Sequence, residues 1–152
     1  MLTIADGRSS DLDGVHALLR GAGLEVEGVA ERIADFLVAR EGDRVVAVAG
    51  LEDHGTAGLL RSVAAAPDRR NWGLARYLVN VLIERSRERG HAAVYLLTKT
   101  AEAYFERFGF RQISRAAVRP AVLASGQFRG ECCESSTVMV LDLIEEPGAR
   151  ED

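Results

Sequence analysis

One stretch of the chain, residues 59–82, constrains the fold more than any other, and it reads LLRSVAAAPDRRNWGLARYLVNVL. Its first half is apolar enough to be a buried strand, and Pro67 ends that strand because proline cannot donate to a ladder. A polar loop, residues 68–72, then leads into an amphipathic helix predicted over residues 73–89. A strand joined to a helix in this way predicts an α/β protein in which helices pack on a sheet.

The start of this helix has the chemistry of an anion site. The first N–H groups of a helix have no partner within it, and the helix dipole places partial positive charge there. Gly73 would let a phosphate come close to these amides, and Arg69, Arg70 and Arg76 add full positive charges nearby. These residues favour a pyrophosphate ligand, although a strand, loop and glycine also begin many ordinary helices.

The rest of the chain alternates between strand and helix patterns, and Gly42-Asp43 marks a hairpin. Antiparallel hairpins in the first half and strand–helix–strand units in the second predict a mixed, mostly antiparallel sheet with helices on both faces. The predicted strands are residues 2–5, 36–40, 44–52, 58–66, 92–98, 110–115 and 137–144. The first predicted helix follows a cap at Ser10 or Asp11, has apolar residues at helical spacing and ends at Gly21 and Gly23; its apolar residues are Leu12, Val15, Leu18 and Leu19. The other predicted helices cover residues 26–35, 73–89 and 101–108, and residues 120–128 are compatible with a helix.

Size and charge limit the classes of function. A chain of 152 residues is the usual size of one domain, so we expect a single domain over residues 1–144 and a polar tail over residues 145–152. The net charge of −4 argues against general binding to nucleic acid. No apolar run approaches the roughly 18 residues of a membrane-spanning helix, and the N-terminus does not resemble a secretory signal. We therefore expect a cytoplasmic protein that binds neither nucleic acid nor membrane.

The cysteine and histidine residues do not indicate a metal site. Cys132 and Cys133 are adjacent, and neighbouring residues bridge only through a strained ring, so a structural disulfide is not expected. They are either two small reduced side chains or a pair of soft ligands for an element such as arsenic. His16, His54 and His91 do not have metal-site spacing, and we expect no metal.

Two motifs resemble the GNAT superfamily of N-acetyltransferases. The sequence RNWGLA at residues 70–75 resembles the family's pyrophosphate loop, and AEAYFERFGF at residues 101–110 resembles its closing helix and Gly-Phe turn. The resemblance implies an enzyme that transfers acetyl from acetyl-CoA to an amine. It also implies that the backbone of Val63, Ala64 and Ala65 pairs with pantetheine. The amides that would hold the pyrophosphate are those of Arg70, Asn71, Trp72, Gly73, Leu74, Ala75 and Arg76.

Longer stretches of the sequence resemble one group within this superfamily. LLRSVAAAP, YLLTKTAEAYFERFGF and ASGQFRGECCESSTVMV are similar to small amino-acid N-acetyltransferases. That group includes arsenic-resistance-associated acetyltransferases and, more distantly, N-acetylglutamate synthases. The resemblance implies a small amino-acid-like acceptor, such as a glutamate-like compound or arsinothricin, and a monomer or homodimer. The alternatives are an acyl-CoA-sensing module without turnover and a protein N-acetyltransferase.

Arg61 and Glu52 are charged residues in otherwise apolar strands, where burying an unpaired charge is costly. Arg61 either forms a structural ion pair or grips a substrate carboxylate. Glu52 is either a solvated strand end, a partner for Arg61, or a general base that acts through water on the acceptor ammonium.

The closing helix and two strands supply the other candidates. Glu102 is the rival base, although the helix dipole also explains an acid at a helix start. Ser62 and Thr98 could offer hydroxyls to the substrate. Phe105 departs from the family, because many GNAT enzymes have a tyrosine there that protonates the leaving thiolate. Tyr104 points roughly 100° away on a helix and cannot be assumed to replace it.

Overall fold

The computed structural model describes residues 1–128 and 135–144. Seven strands form a mixed sheet in the order β1-β2-β3-β4-β5-β7-β6. Strands β4 and β5 pair in parallel, whereas β1/β2, β2/β3, β5/β7 and β6/β7 are antiparallel pairs. The strands are β1 Leu2–Asp6, β2 Phe36–Glu41, β3 Arg44–Asp53, β4 Ala57–Ala65, β5 Ala93–Thr98, β6 Arg111–Ile113 and β7 Thr137–Asp142. The α-helices are α1 Leu12–Gly21, α2 Leu74–Glu88, α3 Glu102–Glu106 and α4 Pro120–Leu123. The predicted mixed, mostly antiparallel α/β fold is confirmed.

The chain forms two compact units. The first contains Met1–Glu52 and Leu60–Glu84, and the second contains Asp53–Leu59 and the residues from Arg85 onward. In the first unit, Val15 and Leu19 of α1 are fully buried against Phe36, Val38 and other apolar side chains. Helix α1 presents these residues because they recur at helical spacing, so one stripe of the helix enters the core.

A buried ion pair fixes the beginning of α1. The guanidinium of Arg40 in β2 donates from Nε to Oδ1 of Asp11 at 2.6 Å, and both side chains are at most 7% exposed. Asp11 also accepts a hydrogen bond from the backbone N–H of Arg8, and the Arg40 contact is the main reason that its pKa lies below the usual value. Asp11 is the N-cap residue of α1, one of the two predicted, but its carboxylate makes no capping hydrogen bond to α1, because Arg40 holds it instead.

The second unit has its own core. Ala57 and Leu59 of β4 pack with Tyr95, Val122 and Val138. In the same unit, the buried ring of His91 lies 2.5 Å from the hydroxyl of Ser86 and 2.9 Å from the carboxylate of Asp53. This contact with His91 is the largest cause of the lowered pKa of Asp53.

Some predicted boundaries differ from the structure. The helix predicted over residues 26–35 is a 3₁₀ helix at Ala30–Asp35, because Gly28 has a left-handed φ of 81° that a continuous right-handed helix cannot contain. The last strand ends at Asp142, and the strand predicted over residues 110–115 contracts to β6. No helix in residues 1–128 and 135–144 has the length and apolar character needed to cross a bilayer.

Candidate functional site

The junction between β4 and α2 is built as the sequence predicts. Pro67 begins a 3₁₀ turn, Pro67–Trp72, and Gly73 then takes a left-handed conformation, with φ 74° and ψ 17°, before α2. That conformation favours glycine, since other residues adopt it at a cost. A Cβ atom placed on Gly73 would meet nothing within 4 Å. The backbone of Gly73, just before α2, therefore borders open space.

The arginines around this helix start divide into two kinds. Arg70 and Arg76 are exposed, and they form no ion pair with any residue that the structure describes. Arg69 was predicted as a third charge for a phosphate. It is instead paired, because its guanidinium donates to both carboxylate oxygens of Glu41 at 2.5 and 2.8 Å and to Asp68 at 3.0 Å. Positive charge is available from Arg70 and Arg76, which flank Gly73.

Strand β4 carries a backbone irregularity beside its last residues. Ser62 has a φ of 58°, the one positive φ at a non-glycine residue in the described part of the chain. A left-handed serine costs on the order of 1–3 kcal/mol, and such outliers concentrate at functional sites. Val63 and Ala65, which follow it, are half-buried. The parallel ladder of β4 with β5 covers Ala57, Gly58 and Leu59.

Glu52 and Arg61 form a buried ion pair in the first unit. Nη1 of Arg61 donates to Oε2 of Glu52 at 2.8 Å, and the two side chains are 3% and 4% exposed. Arg61 also donates from Nη2 to the backbone carbonyl of Glu27 at 2.7 Å and from Nε to the Ser62 hydroxyl at 3.0 Å. Its guanidinium lies 5.7 Å from the centre of the Phe36 ring.

This arrangement satisfies the physical requirement for burying an arginine, since each of its donor groups has a partner. The sequence left open whether Arg61 forms a structural ion pair, and in the structure it pairs with Glu52. Whether Glu52 also acts as a base, and whether Arg61 and Ser62 also bind substrate, stay predictions. The structure brings Glu52, Arg61 and Ser62 together in one hydrogen-bonded cluster.

Glu102 and Thr98 lie in the second unit. The carboxylate of Glu102, in the first turn of α3, accepts a hydrogen bond from the hydroxyl of Thr137 at 3.1 Å. The hydroxyl of Thr98 accepts from the backbone N–H of Ala101 at 3.0 Å, so it stabilises the turn into α3. A substrate role for Thr98 stays a prediction.

The position of the usual GNAT tyrosine is occupied by a core side chain. Phe105 is 7% exposed and packs edge-on against Tyr104 and Phe110, with ring centres 5.1 and 6.0 Å apart. The Tyr104 ring also packs on Phe108. Phe105 therefore contributes to an aromatic cluster and offers no acidic proton.

Other predicted features concern metals and cysteines. Within the described ranges, 1–128 and 135–144, no three His, Cys, Asp or Glu side chains are grouped so that they could hold a metal ion. Cys132, Cys133 and the predicted tail at residues 145–152 lie outside the described residues.

Sequence reasoning missed two features of this site. The left-handed Ser62 has no local signal, since serine in an apolar run is compatible with a regular strand. The pairing of Arg69 with Glu41 joins residues 28 positions apart, and no periodic pattern links them.

The family described as Acetyltransferase (GNAT) domain matches residues 32–112, just over half of the chain. None of the curated protein sequences compared with the chain matches it. Among solved structures, N-acetylglutamate synthase from Neisseria gonorrhoeae, complexed with coenzyme A and N-acetyl-glutamate, is similar with a TM-score of 0.80 and 19% identity. That alignment covers 95% of this chain and 36% of the synthase, so the chain spans about a third of that protein.

Two further structures match along their whole length. Rv2747 from Mycobacterium tuberculosis, in a complex with CoA, has a TM-score of 0.75 and 22% identity, over 93% of this chain and 99% of that protein. The ribosomal-protein-S18-alanine N-acetyltransferase from Escherichia coli has a TM-score of 0.66 and 18% identity, over 100% of each chain. At these identities the likeness shows the fold.

Proposed function

Because this chain belongs to the GNAT acetyltransferase family, we propose that it uses acetyl-CoA to acetylate the amino group of a small, amino-acid-like acceptor. The observation that carries the proposal is the helix start at Gly73, where open space, first-turn amides and the exposed Arg70 and Arg76 meet. These groups suit a pyrophosphate, since its charge is met both by the helix dipole and by two guanidinium groups. The backbone of Val63, Ala64 and Ala65 is proposed to pair with pantetheine.

The chemical step follows from the thioester. The neutral amine attacks the carbonyl carbon, a C–N bond forms, the C–S bond breaks, and CoA leaves as a thiolate. The proton lost from the ammonium passes through water to a carboxylate, for which Glu52 and Glu102 are the candidates. The nitrogen loses a second proton as the amide forms, and since Phe105 has no hydroxyl, we propose that this proton reaches the departing thiolate through water.

The strained backbone at Ser62 suits this step. A left-handed residue turns the following peptide out of the regular ladder, so the N–H of Val63 can point towards the thioester oxygen rather than a neighbouring strand. A backbone donor fixed in this way would stabilise the negative charge that develops on that oxygen.

The amino-acid-like acceptor is supported by two kinds of observation. One is the resemblance of the sequence to amino-acid N-acetyltransferases, which also suggests arsinothricin as a candidate. The other is the likeness to the Neisseria gonorrhoeae synthase, whose structure holds N-acetyl-glutamate. A panel of glutamate, arsinothricin, phosphinothricin and polyamines, assayed by thiol release from acetyl-CoA, tests the acceptor. Turnover with the polyamines alone would contradict the amino-acid proposal.

A second candidate function is acyl-CoA sensing without turnover. Phe105 favours it, because the usual tyrosine is replaced by a buried ring. Binding of CoA without thiol release across the whole amine panel would support this alternative. The protein-acetylating alternative is tested by adding a peptide with an N-terminal alanine to the panel, since one structural relative acetylates alanine of a ribosomal protein.

Replacing Gly73 by Val tests the pyrophosphate site. We expect the Kd for CoA, measured by calorimetry, to rise by about an order of magnitude, because the side chain would fill the space beside the first amides of α2. Valine is also strained at a φ of 74°, so Gly90→Val is the matched control, at a φ of 81° beyond the end of α2. Gly73→Asn separates the two effects further, since asparagine tolerates this conformation while still occupying the space. Unchanged CoA affinity in both Gly73 variants would exclude the site.

A further inference from the structure

Trp72 is the only tryptophan of the chain, and its side chain is exposed to solvent. It is 57% exposed, and Tyr77 is 54% exposed. In the described part of the chain these are the two exposed aromatic side chains, since the other exposed large apolar residues are aliphatic. Both lie within one short segment around the first turn of α2. An aromatic surface is therefore concentrated beside the proposed pyrophosphate site.

The Trp72 ring is held from one side. The guanidinium of Arg69 lies over the indole at 4.5 Å from the ring centre, which is the geometry of a cation–π contact. Arg69 is itself fixed, because Glu41 binds it through both carboxylate oxygens and Asp68 binds it as well. Arg44 in turn donates two hydrogen bonds to Asp68. A two-sided pairing of this kind restrains a guanidinium in orientation as well as position.

We propose that Trp72 is the adenine platform of this enzyme, and that the purine of CoA stacks on the open face of the indole while Arg69 fixes the other face. The inference rests on the proposed pyrophosphate site. Trp72 directly precedes Gly73, and in CoA a single ribose separates the pyrophosphate from the adenine. A base that extends from a pyrophosphate at the start of α2 therefore lies within reach of this side chain.

The chemistry of the platform suits a nucleobase. Bases stack on aromatic side chains whatever their hydrogen-bonding edges, because every base has a flat π face. Arg70 and Arg76 are exposed on the same segment and provide charge for the phosphates that accompany the base. An exposed surface that amounts to one indole is, by contrast, far smaller than a stable protein interface requires.

Intrinsic fluorescence tests the proposal directly, because emission from tryptophan comes from Trp72 alone. The full chain is titrated with CoA, with adenosine 3′,5′-bisphosphate and with 4′-phosphopantetheine. We expect CoA and the bisphosphate to quench the emission, since both carry the adenine, and phosphopantetheine to leave it nearly unchanged. Quenching by phosphopantetheine equal to that by CoA, or none by the bisphosphate, would overturn the proposal.

Substitution gives the second measurement. We expect Trp72→Ala to raise the Kd for CoA by about tenfold, as loss of one aromatic–base stack does elsewhere, and to leave the KM for an acetyl-phosphopantetheine thioester unchanged. Tyr77→Ala is the matched control, an exposed aromatic on the same segment with no proposed role. Arg69→Gln should raise the Kd for CoA by a smaller factor, and it should also leave the KM for the acetyl-phosphopantetheine thioester unchanged.

The outcomes separate this inference from the proposed function. If the parent protein binds CoA and Trp72→Ala binds it equally well, the adenine platform is wrong while the acetyltransferase assignment stands. If Trp72→Ala weakens CoA and the truncated thioester by the same factor, Trp72 acts on the loop as a whole and the stacking proposal also fails. If the parent protein does not bind CoA, the proposed function itself is contradicted.

Discussion

Replacing Glu52 by Gln is expected to lower kcat/KM for the acceptor by about 10²-fold at neutral pH, within the range that general base catalysis contributes. The amide keeps the shape of the carboxylate but cannot accept the proton of the acceptor ammonium. A typical amino group is mostly protonated at neutral pH. The deficit should therefore shrink as the pH rises and free amine accumulates. A pH profile of kcat/KM for the parent and the variant measures this directly.

The buried pair with Arg61 provides the competing explanation. Glu52→Gln also leaves the guanidinium of Arg61 with a neutral partner, and breaking a buried pair is destabilising. A purely structural role for Glu52 predicts a lower melting temperature and a deficit that does not change with pH. Kinetics are therefore expressed per CoA-binding site, so that unfolded protein does not count.

The rival base is tested in parallel. Glu102→Gln removes the carboxylate at the start of α3, and Glu106→Gln, an exposed residue on the same helix, is its matched control. Normal turnover of Glu52→Gln at pH 7 together with a loss in Glu102→Gln would move the assignment to α3. Full activity in both variants would mean that bulk water accepts the proton.

The largest effect on stability is expected at Asp11. Asp11→Asn should lower the free energy of unfolding by about 3–5 kcal/mol, because it leaves the charge of Arg40 buried without a counter-charge. Urea unfolding followed by circular dichroism measures the change. Asp13→Asn, an exposed acid in the first turn of the same helix, is the control and should change stability little.

The same pair predicts how stability depends on pH. The pKa of Asp11 is lowered in the folded protein, mainly by its hydrogen bond with Arg40. The contribution of ionised Asp11 to the free energy of unfolding is therefore fully present above the ordinary carboxyl pKa of about 4. It is lost as the pH falls through the lowered pKa of the folded protein. The parent should thus lose stability on acidification below that pH more steeply than Asp11→Asn. Equal slopes for the two proteins would contradict the ion-pair account.

A double substitution separates charge from packing. Asp11→Leu combined with Arg40→Met replaces both charges by apolar groups of similar size, and such exchanges are often neutral or stabilising. We expect the double variant to be considerably more stable than Asp11→Asn. A double variant as unstable as the single one would show that the two side chains matter for shape or for their other hydrogen bonds.

The sequence predicted those parts of the site that depend on local chemistry. Pro67 and Gly73 act on their own backbone, so the end of β4 and the start of α2 were placed to within about a residue. Arg70 and Arg76 are exposed near the helix start, and their binding of a phosphate stays a prediction. Helix α1 was found because Val15 and Leu19 obey a period that any helix must show.

What the sequence did not predict depends on partners distant along the chain. Ser10 or Asp11 was expected to cap α1, because short polar side chains before a helix usually do so; Asp11 has the N-cap position, but Arg40, 29 residues away, holds its carboxylate. Arg69 was expected to offer its charge to a phosphate because it lies close to Gly73 in the sequence, but Glu41 pairs with it. Pairings of this kind arise from the packing of strands and loops, so a local sequence pattern does not predict them.

The two hydrophobic cores have different consequences for a chain that is still being synthesised. One hydrophobic cluster of the first unit, in which α1 packs on β2, uses residues between 12 and 64, so all of its side chains have been made before α2 begins. The core of the second unit joins Ala57 to Val138 and Val140, which belong to the last strand. Closing so long a loop costs more entropy, and it must wait for β7 to leave the ribosome. The cluster of the first unit can therefore close earlier in synthesis than the core of the second unit, which requires β7.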